Sequence, residues 1–498
     1  MTPNREELLQ EKLRALNPVQ RRLFLNAASE RLKAQRSTIP RRERSDRFSL
    51  SFSQRRLWYI YQSDPASTMY NMPECVRLRG ALDLAVFQAA FNNVVARHES
   101  LRVTFRNTPQ GPVQVVNEQP DCTIEVLDLS GLNGEQLEAQ ARELLFEISD
   151  RPFDLSRGPV VRLSLIKMAD DHHFLLINMH HIVSDGWSMG VFARDFSAFV
   201  AARMQGTEPE LPQLAIGFGD FVEWQIERLN GPVMDQQMAY WQPKLKQVEE
   251  LVLPFDRLPT ASTTERGGFE YILFDRTLAD AINGCARQCG VTLYMMLLAA
   301  FCVLLHRQSL QSSITVGSPT AGRVRAETEN LIGFFANTLL ITSEVRPDMS
   351  FREVAQGVRQ AALGAFNHDE TPFEKLVEAI RPDRDSSRSA LFQVMFILQN
   401  TKKPALILPG LITEPFAAGS LSVKFDMLIE FYESPEGITG WLGYRRDLFD
   451  ERTCKRFAEN YHRLLTSIIT DPDQLVPELS VDAEPALSAF NDDLNTEF

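Results

Sequence analysis

The sequence is poor in the features that mark several large protein classes. No stretch of its 498 residues approaches the roughly 20 uninterrupted apolar residues of a membrane span. The N-terminal Met1-Thr2-Pro3-Asn4-Arg5-Glu6-Glu7 lacks the apolar core of a secretory signal, so a cytoplasmic protein off the membrane is expected. The six cysteines (Cys75, Cys122, Cys285, Cys289, Cys302 and Cys454) contain no CxxC pair. Cys285 and Cys289 stand four apart on an expected helix, but no second Cys or His pair nearby completes a metal site. Reduced, mostly buried thiols and no metal are expected. The basic excess of a nucleic-acid binder is also missing, because the net charge is −13. That charge is uneven: residues 1–47 hold 12 Lys/Arg against 6 Asp/Glu. A basic leader on an acidic body can serve as a solvated linker or dock an acidic partner.

What is present is an ordinary globular composition, 44% hydrophobic and 23% charged, at a length that calls for more than one packed core. The leader, 1–47, contains one helical pattern that opens on Asn17-Pro18 and runs to about Gln35. A compact body begins near Phe48. Its first part, 48–225, reads as a helix at Asp83–Arg97, strands at Val160–Met168 and Phe174–Met179, and a helix at Ser188–Met204 closed by Gly206. The second part, 226–475, repeats the same alphabet. Helices are expected at Thr292–His306 and Cys454–Ile469. Strands are expected at Ser313–Gly317, Leu339–Val345, Leu391–Gln399 and Leu421–Tyr432. Two α/β lobes follow. The acidic tail, 476–498, reads as a linker, as though a longer protein continued beyond it.

The chemistry concentrates in Asn178-Met179-His180-His181-Ile182-Val183-Ser184-Asp185-Gly186-Trp187-Ser188, between a buried strand and a helix. Side chains alternate along a strand, so one histidine can line a cavity while the other braces the turn. Ser184 or Asp185 can cap the helix. Gly186 allows a close backbone approach. A neutral imidazole near pH 7 can take a proton from an amine, or accept its hydrogen bond, as the amine attacks a carbonyl. A carboxylate four residues on can hold the turn through an arginine.

This string resembles the HHxxxDG signature of the condensation domains of nonribosomal peptide synthetases, and matches each fixed position. Further segments resemble the family's other motifs in order. These are Ser51-Phe52-Ser53-Gln54-Arg55-Arg56-Leu57-Trp58, Arg97-His98-Glu99-Ser100-Leu101-Arg102, Phe218-Gly219-Asp220-Phe221-Val222-Glu223-Trp224, Ile332-Gly333-Phe334-Phe335-Ala336-Asn337-Thr338, His368-Asp369-Glu370-Thr371-Pro372-Phe373-Glu374 and, more loosely, Arg384–Arg388. Asp369 stands where the family usually has Gln.

The resemblance implies two chloramphenicol-acetyltransferase-like lobes in a V-shaped pseudodimer with a central tunnel. Donor and acceptor would enter on the phosphopantetheine arms of upstream and downstream carrier proteins. It implies a catalytic His181, as base or positioner, beside His180. Asp185 would be paired to Arg323 or, second, Arg102, with Gly186 lining the channel. Asn337, Trp187 and Ser188 are tunnel candidates. No cofactor of its own is expected, and a monomer is. The text around Ser53–Trp58 and Tyr70–Pro73 looks most like domains joining an L-donor to an L-acceptor. Starter domains taking a fatty acyl group, epimerization domains and silent recruitment domains are the alternatives. Asn491-Asp492-Asp493-Leu494-Asn495 resembles the join to a downstream adenylation domain.

Overall fold

The computed structural model describes residues 39–43, 46–118, 122–132, 134–258, 267–380, 391–399, 406–416 and 423–481. The expected leader helix, the Arg384–Arg388 motif, most of the tail and most of the Leu258–Thr264 crossover lie outside these residues.

The first half carries strands β1 (Arg47–Ser49), β2 (Asn71–Arg79), β3 (Val103–Thr108), β4 (Gly111–Val116), β5 (Glu125–Asp128), β6 (Val161–Ala169) and β7 (His172–His180). Its helices are α1 (Phe52–Ser63), α2 (Leu84–Arg97), α3 (Glu135–Ser149), α4 (Gly186–Gln205) and α5 (Phe218–Leu229). The second half adds α6 (Pro232–Leu245), α7 (Arg276–Gln288), α8 (Leu293–Ser309), α9 (Phe351–Phe366), α10 (Phe373–Ile380) and α11 (Glu451–Thr470). Its strands are β8 (Gly267–Asp275), β9 (Ser313–Thr320), β10 (Asn337–Glu344), β11 (Val394–Gln399), β12 (Ile412–Phe416), β13 (Met427–Ser434) and β14 (Gly437–Arg445).

Local chemistry sets the helix ends. The Asp83 carboxylate accepts from the Ala85 and Val86 N–H groups to start α2, and Thr292 accepts from Met295 N–H to start α8. Gly206, at φ 66°, closes α4 in the left-handed region. The expected helices α2, α4, α8 and α11 match to within a few residues, while the strand expected at Leu421–Tyr432 begins at Met427 and the remaining helices were not expected.

The strands form a three-stranded sheet, β1-β4-β3, a five-stranded sheet, β12-β2-β7-β6-β5, and a six-stranded sheet, β10-β9-β11-β13-β14-β8. Both faces of the five-stranded sheet are covered. Val161, Leu163 and Leu165 pack with Phe91, Phe192 and Phe196 of α2 and α4. Ile166, Met168 and Phe174 pack with Ala141 and Leu145 of α3. This explains why β7 reads as a continuous apolar run. The largest core, in the second half, is built around α8, on which Met295 to His306 are all buried.

Two features depart from a simple division at 225. That position falls inside the continuous helix α5. Strand β12, from the second half of the sequence, pairs antiparallel with β2 and so completes the first half's sheet.

Candidate functional site

The site begins where β2 meets β7. Asn71 stands opposite His180, and the Tyr70 carbonyl accepts from His181 N–H at 2.8 Å. The start of one strand thus fixes the histidine pair at the end of the other. His180 is buried, and its Nδ1 accepts from Ile182 N–H at 3.1 Å, so this nitrogen carries no proton. Gln54, the capping-box partner of Ser51 on α1, donates to the Ile182 carbonyl at 2.8 Å. His180 is therefore the bracing member of the pair.

The His181 ring lies between Phe334, 4.7 Å away by ring centroids and edge-on, and Tyr70, at 6.3 Å. Its Nδ1 is buried without a hydrogen-bond partner. Burial and then the Lys424 ammonium lower its pKa to about 3, and the His180 pKa falls to about 3 through burial and then His181. Both rings are neutral at pH 7.

Asp185 anchors the far end of the turn. Oδ1 accepts from Ser188 N–H at 2.8 Å, capping α4, and from Arg323 at 3.2 Å. Oδ2 accepts from the Phe335 and Ala336 N–H groups at 3.0 and 3.2 Å. The carboxylate joins the halves, because Phe335 and Ala336 lie on the segment leading into β10. Arg323 also donates to Ser188 Oγ at 2.8 Å and to the Leu331 carbonyl at 2.9 Å. Its guanidinium lies 4.1 Å above the Phe335 ring. Burial lowers the Arg323 pKa and Asp185 opposes that shift.

Several expected assignments are corrected. Arg102 does not reach Asp185; it donates to the Asn117 carbonyl at 3.2 Å, because it ends the turn before β3 and points along β4. Ser188 does not line a tunnel. It is fully buried, donates to the Gly333 carbonyl at 2.8 Å and accepts from Gly333 N–H at 3.1 Å, so it too joins the halves. Asn337 keeps its place as a tunnel candidate, because it lines a smaller cavity beside the Phe335–Ala336 segment, but its amide is fully engaged. It donates to the Asp369 and Thr371 carbonyls at 2.9 and 2.7 Å and accepts from Thr338 and Phe373 N–H, which fixes the loop before α10. Trp187 needs no correction: it lines the large cavity, as expected of a tunnel candidate, with its Nε1 donating to the Glu329 carbonyl at 2.9 Å.

A cavity of about 1040 Å³ lies between the halves. Gly186, Trp187 and Arg194 form one wall, and Tyr294, Ser318 and Asp369 belong to another. A Cβ on Gly186 would meet nothing within 4 Å, so the missing side chain leaves open space. A smaller cavity shares Gly322, Val324, Ala336 and Asp369 with it and is also walled by Phe334. His181 is a wall of neither, which differs from the expected imidazole open to a tunnel. The Phe334 ring, which packs edge-on against the partly exposed His181, lines the smaller cavity.

Tyr70, Phe334, Gln54 and Lys424 all belong to this site but were not expected in it. The first three lie in quoted motifs, and no local signal gives them a role there. Lys424 falls inside the strand expected at Leu421–Tyr432, whereas the strand begins at Met427 and leaves it on the preceding segment.

A two-part α/β acyltransferase architecture with a histidine pair at a strand end defines the class. The profile of the Condensation domain family matches residues 44–485, and the chain belongs to that family of nonribosomal peptide synthetase domains. It is 39% identical over 455 residues to a component of the linear gramicidin synthase of Brevibacillus parabrevis, a match that covers 90% of this chain and 6% of that protein. It is 35% identical over 437 residues to chondramide synthase cmdD of Chondromyces crocatus, covering 88% of this chain and 11% of that protein. The chain thus spans a small fraction of the length of these relatives. Among solved structures it resembles the X-domain from teicoplanin biosynthesis, with a TM-score of 0.82, 27% identity, and coverage of 89% of this chain and 100% of that one. The first condensation domain of the calcium-dependent antibiotic synthetase, in complex with a substrate analogue, shares the fold with a TM-score of 0.73, 22% identity, and coverage of 88% and 100%.

Proposed function

We propose that this chain forms an amide between a donor acyl or peptidyl thioester and the amine of an acceptor aminoacyl thioester. Both arrive on phosphopantetheine arms of carrier proteins, upstream for the donor and downstream for the acceptor, and the domain works as a monomer with no cofactor of its own. The observation that carries this reading is a neutral His181 imidazole at the join of the two halves, one aromatic ring from the cavity between them.

The protonation state decides the role. A ring that binds a proton only near pH 3 is a poor resting place for one taken from an alkylammonium. It remains a good hydrogen-bond acceptor. His181 therefore orients the amine and turns its lone pair toward the thioester carbon, with rotation of Phe334 opening the way. Holding two reactants in attack geometry supplies several kcal/mol.

The subtype reading is an L-donor joined to an L-acceptor, with a downstream adenylation domain following in the synthetase. The likeness to the teicoplanin X-domain, whose complex with OxyB is known, favours one second reading, a platform that recruits a partner enzyme. The intact His180-His181 pair and Asp185-Gly186 favour chemistry.

The test is intact-protein mass spectrometry of an acceptor carrier after mixing with L-aminoacyl, D-aminoacyl and fatty acyl donor carriers. A mass gain of one acyl unit from the L-donor is expected. Transfer from the fatty acyl donor alone would make this a starter domain, and transfer from the D-donor alone would reverse the stereochemical reading. No transfer from any donor would contradict the proposal.

A further inference from the structure

Beside the histidine pair lies a cation with no counter-ion among the described residues. Lys424 sits just before β13, and its Nζ is 4.8 Å above the Tyr70 ring. Tyr70 in turn is edge-on to His181, and its carbonyl accepts the His181 backbone N–H. Among the described residues Lys424 makes no hydrogen bond and no ion pair. The carboxylate two residues on, Asp426, faces Arg445 at 3.6 Å. Glu374 on α10 is engaged by Ser53 Oγ at 3.4 Å. The other charged or titratable groups around the lysine are Arg56 of α1 and the two histidines, and none is an anion. A half-buried ammonium of this kind has lost part of its hydration without gaining a carboxylate, and only the face of an aromatic ring offsets the loss. Such an arrangement is stabilised by any negative charge that forms beside it.

The reaction read from the site creates that charge, and the inference rests on that reading. The amine lone pair forms the C–N bond while the carbonyl π pair moves onto oxygen, giving an oxyanion. On collapse that pair re-forms C=O, the C–S bond breaks, and the departing thiolate takes the proton released from nitrogen. We propose that the Lys424 ammonium stabilises this oxyanion, while the neutral His181 ring holds the amine. The two residues then divide the work: the imidazole serves the nucleophile and the lysine serves the electrophile. That no carboxylate among the described residues pairs with Lys424 fits this role, since one would already neutralise the cation before the reaction.

The experiment is single-turnover amide formation between loaded carriers from pH 6.5 to 9.5, with wild type, Lys424→Met and Lys424→Arg, each checked for an unchanged melting temperature. Lys424→Met is expected to slow the chemical step by roughly 100-fold, the usual effect of losing one oxyanion donor, with the dependence on acceptor-carrier concentration unchanged. Lys424→Arg should retain more activity than the methionine variant. Burial and Arg56 lower the lysine pKa to about 8. The ratio of arginine-variant to wild-type rate should therefore rise above pH 8, where lysine loses its charge and guanidinium does not. A packing role for the stem alone would leave that ratio flat. A methionine variant within threefold of wild type across the range would overturn the proposal, as would a flat ratio. If wild type itself forms no amide, the functional reading fails first. If wild type is active and His181→Ala is not, while the lysine variants match wild type, this inference alone fails.

Discussion

The two halves of the molecule are built from the same kinds of element but hold different interiors. The first half buries titratable groups where its sheet meets its helices: His180, Asp185, Asp195 and His98. Asp195 alone takes His98 Nε2 at 2.8 Å and Arg97 at 2.9 Å. The centre of the second half is apolar, with Leu297, Leu298, Phe301, Val303 and Leu304 of α8 wholly buried. One half holds the histidine turn in place through hydrogen bonds. The other supplies a rigid wall, and it sends one segment, Asn330–Asn337, across to be clamped by Asp185, Ser188, Arg194 and Ser100. The difference teaches where substitutions should alter chemistry and where they should alter only stability.

The largest expected effect lies at the clamp. Asp185→Ala leaves Arg323 buried beside no carboxylate and orphans the Phe335 and Ala336 N–H groups. It should cost about 3–5 kcal/mol of stability, read as a lower melting temperature and soluble yield. A stable, folded but inactive Asp185→Ala would make the carboxylate part of the chemistry instead. Phe301→Ala in the second half should cost a similar amount, about 3–5 kcal/mol, by opening a cavity. The loss there should be the same at every pH, because no titratable group is removed.

The contrast between the polar and the apolar interior can be sharpened by titration. The folded-state pKa of His180 lies near 3, below the ordinary value of 6.5, so the unfolded chain binds the proton first as pH falls. The contribution is fully present above pH 6.5 and is lost progressively from there toward pH 3. By pH 5 the loss amounts to roughly 2 kcal/mol for this ring. His180→Asn, whose side-chain oxygen can accept from Ile182 N–H in place of Nδ1, should make the pH dependence of chemical denaturation between pH 7 and 5 shallower, with His181 keeping its own share. An unchanged slope would place the ring in a solvated setting.

The smallest effects separate two glycines on the walls of the large cavity. Gly186→Ala adds a methyl to empty space at the start of a helix, so stability should hold within about 0.5 kcal/mol while amide formation slows. Gly322 sits at φ +63°, and an added Cβ would lie 1.9 Å from the Phe335 carbonyl oxygen. Gly322→Ala should lower the melting temperature, measured by calorimetry. Equal melting temperatures for the two variants would remove the distinction between a glycine left open for substrate and one required by the chain.

Four helices of the described residues were legible in the sequence, α2, α4, α8 and α11, and the others were not expected. Three of the four have ends written in local chemistry: Asp83, Asp185 and Thr292 as caps and Gly206 as a stop. The histidine turn was legible for the same reason. The joining of the halves was not. Strand β12 reads like any short strand, and its pairing with β2 depends on a partner hundreds of residues away in sequence. Ser188 looks like a lining residue on the first turn of a helix until Gly333 arrives against it from the other half. Asn337 looks reactive until four hydrogen bonds fix it to a neighbouring loop. Lys424 reads as one residue of a strand, Leu421–Tyr432, with no role of its own; only the fold brings Tyr70 beneath it.

The most direct test of His181 as the group that meets the amine is the single-turnover rate of amide formation between loaded carriers with His181→Ala. We expect a loss of at least about 100-fold with an unchanged melting temperature and unchanged carrier binding. A rate within a few-fold of wild type would contradict the assignment and leave the second histidine of the pair as packing, like the first.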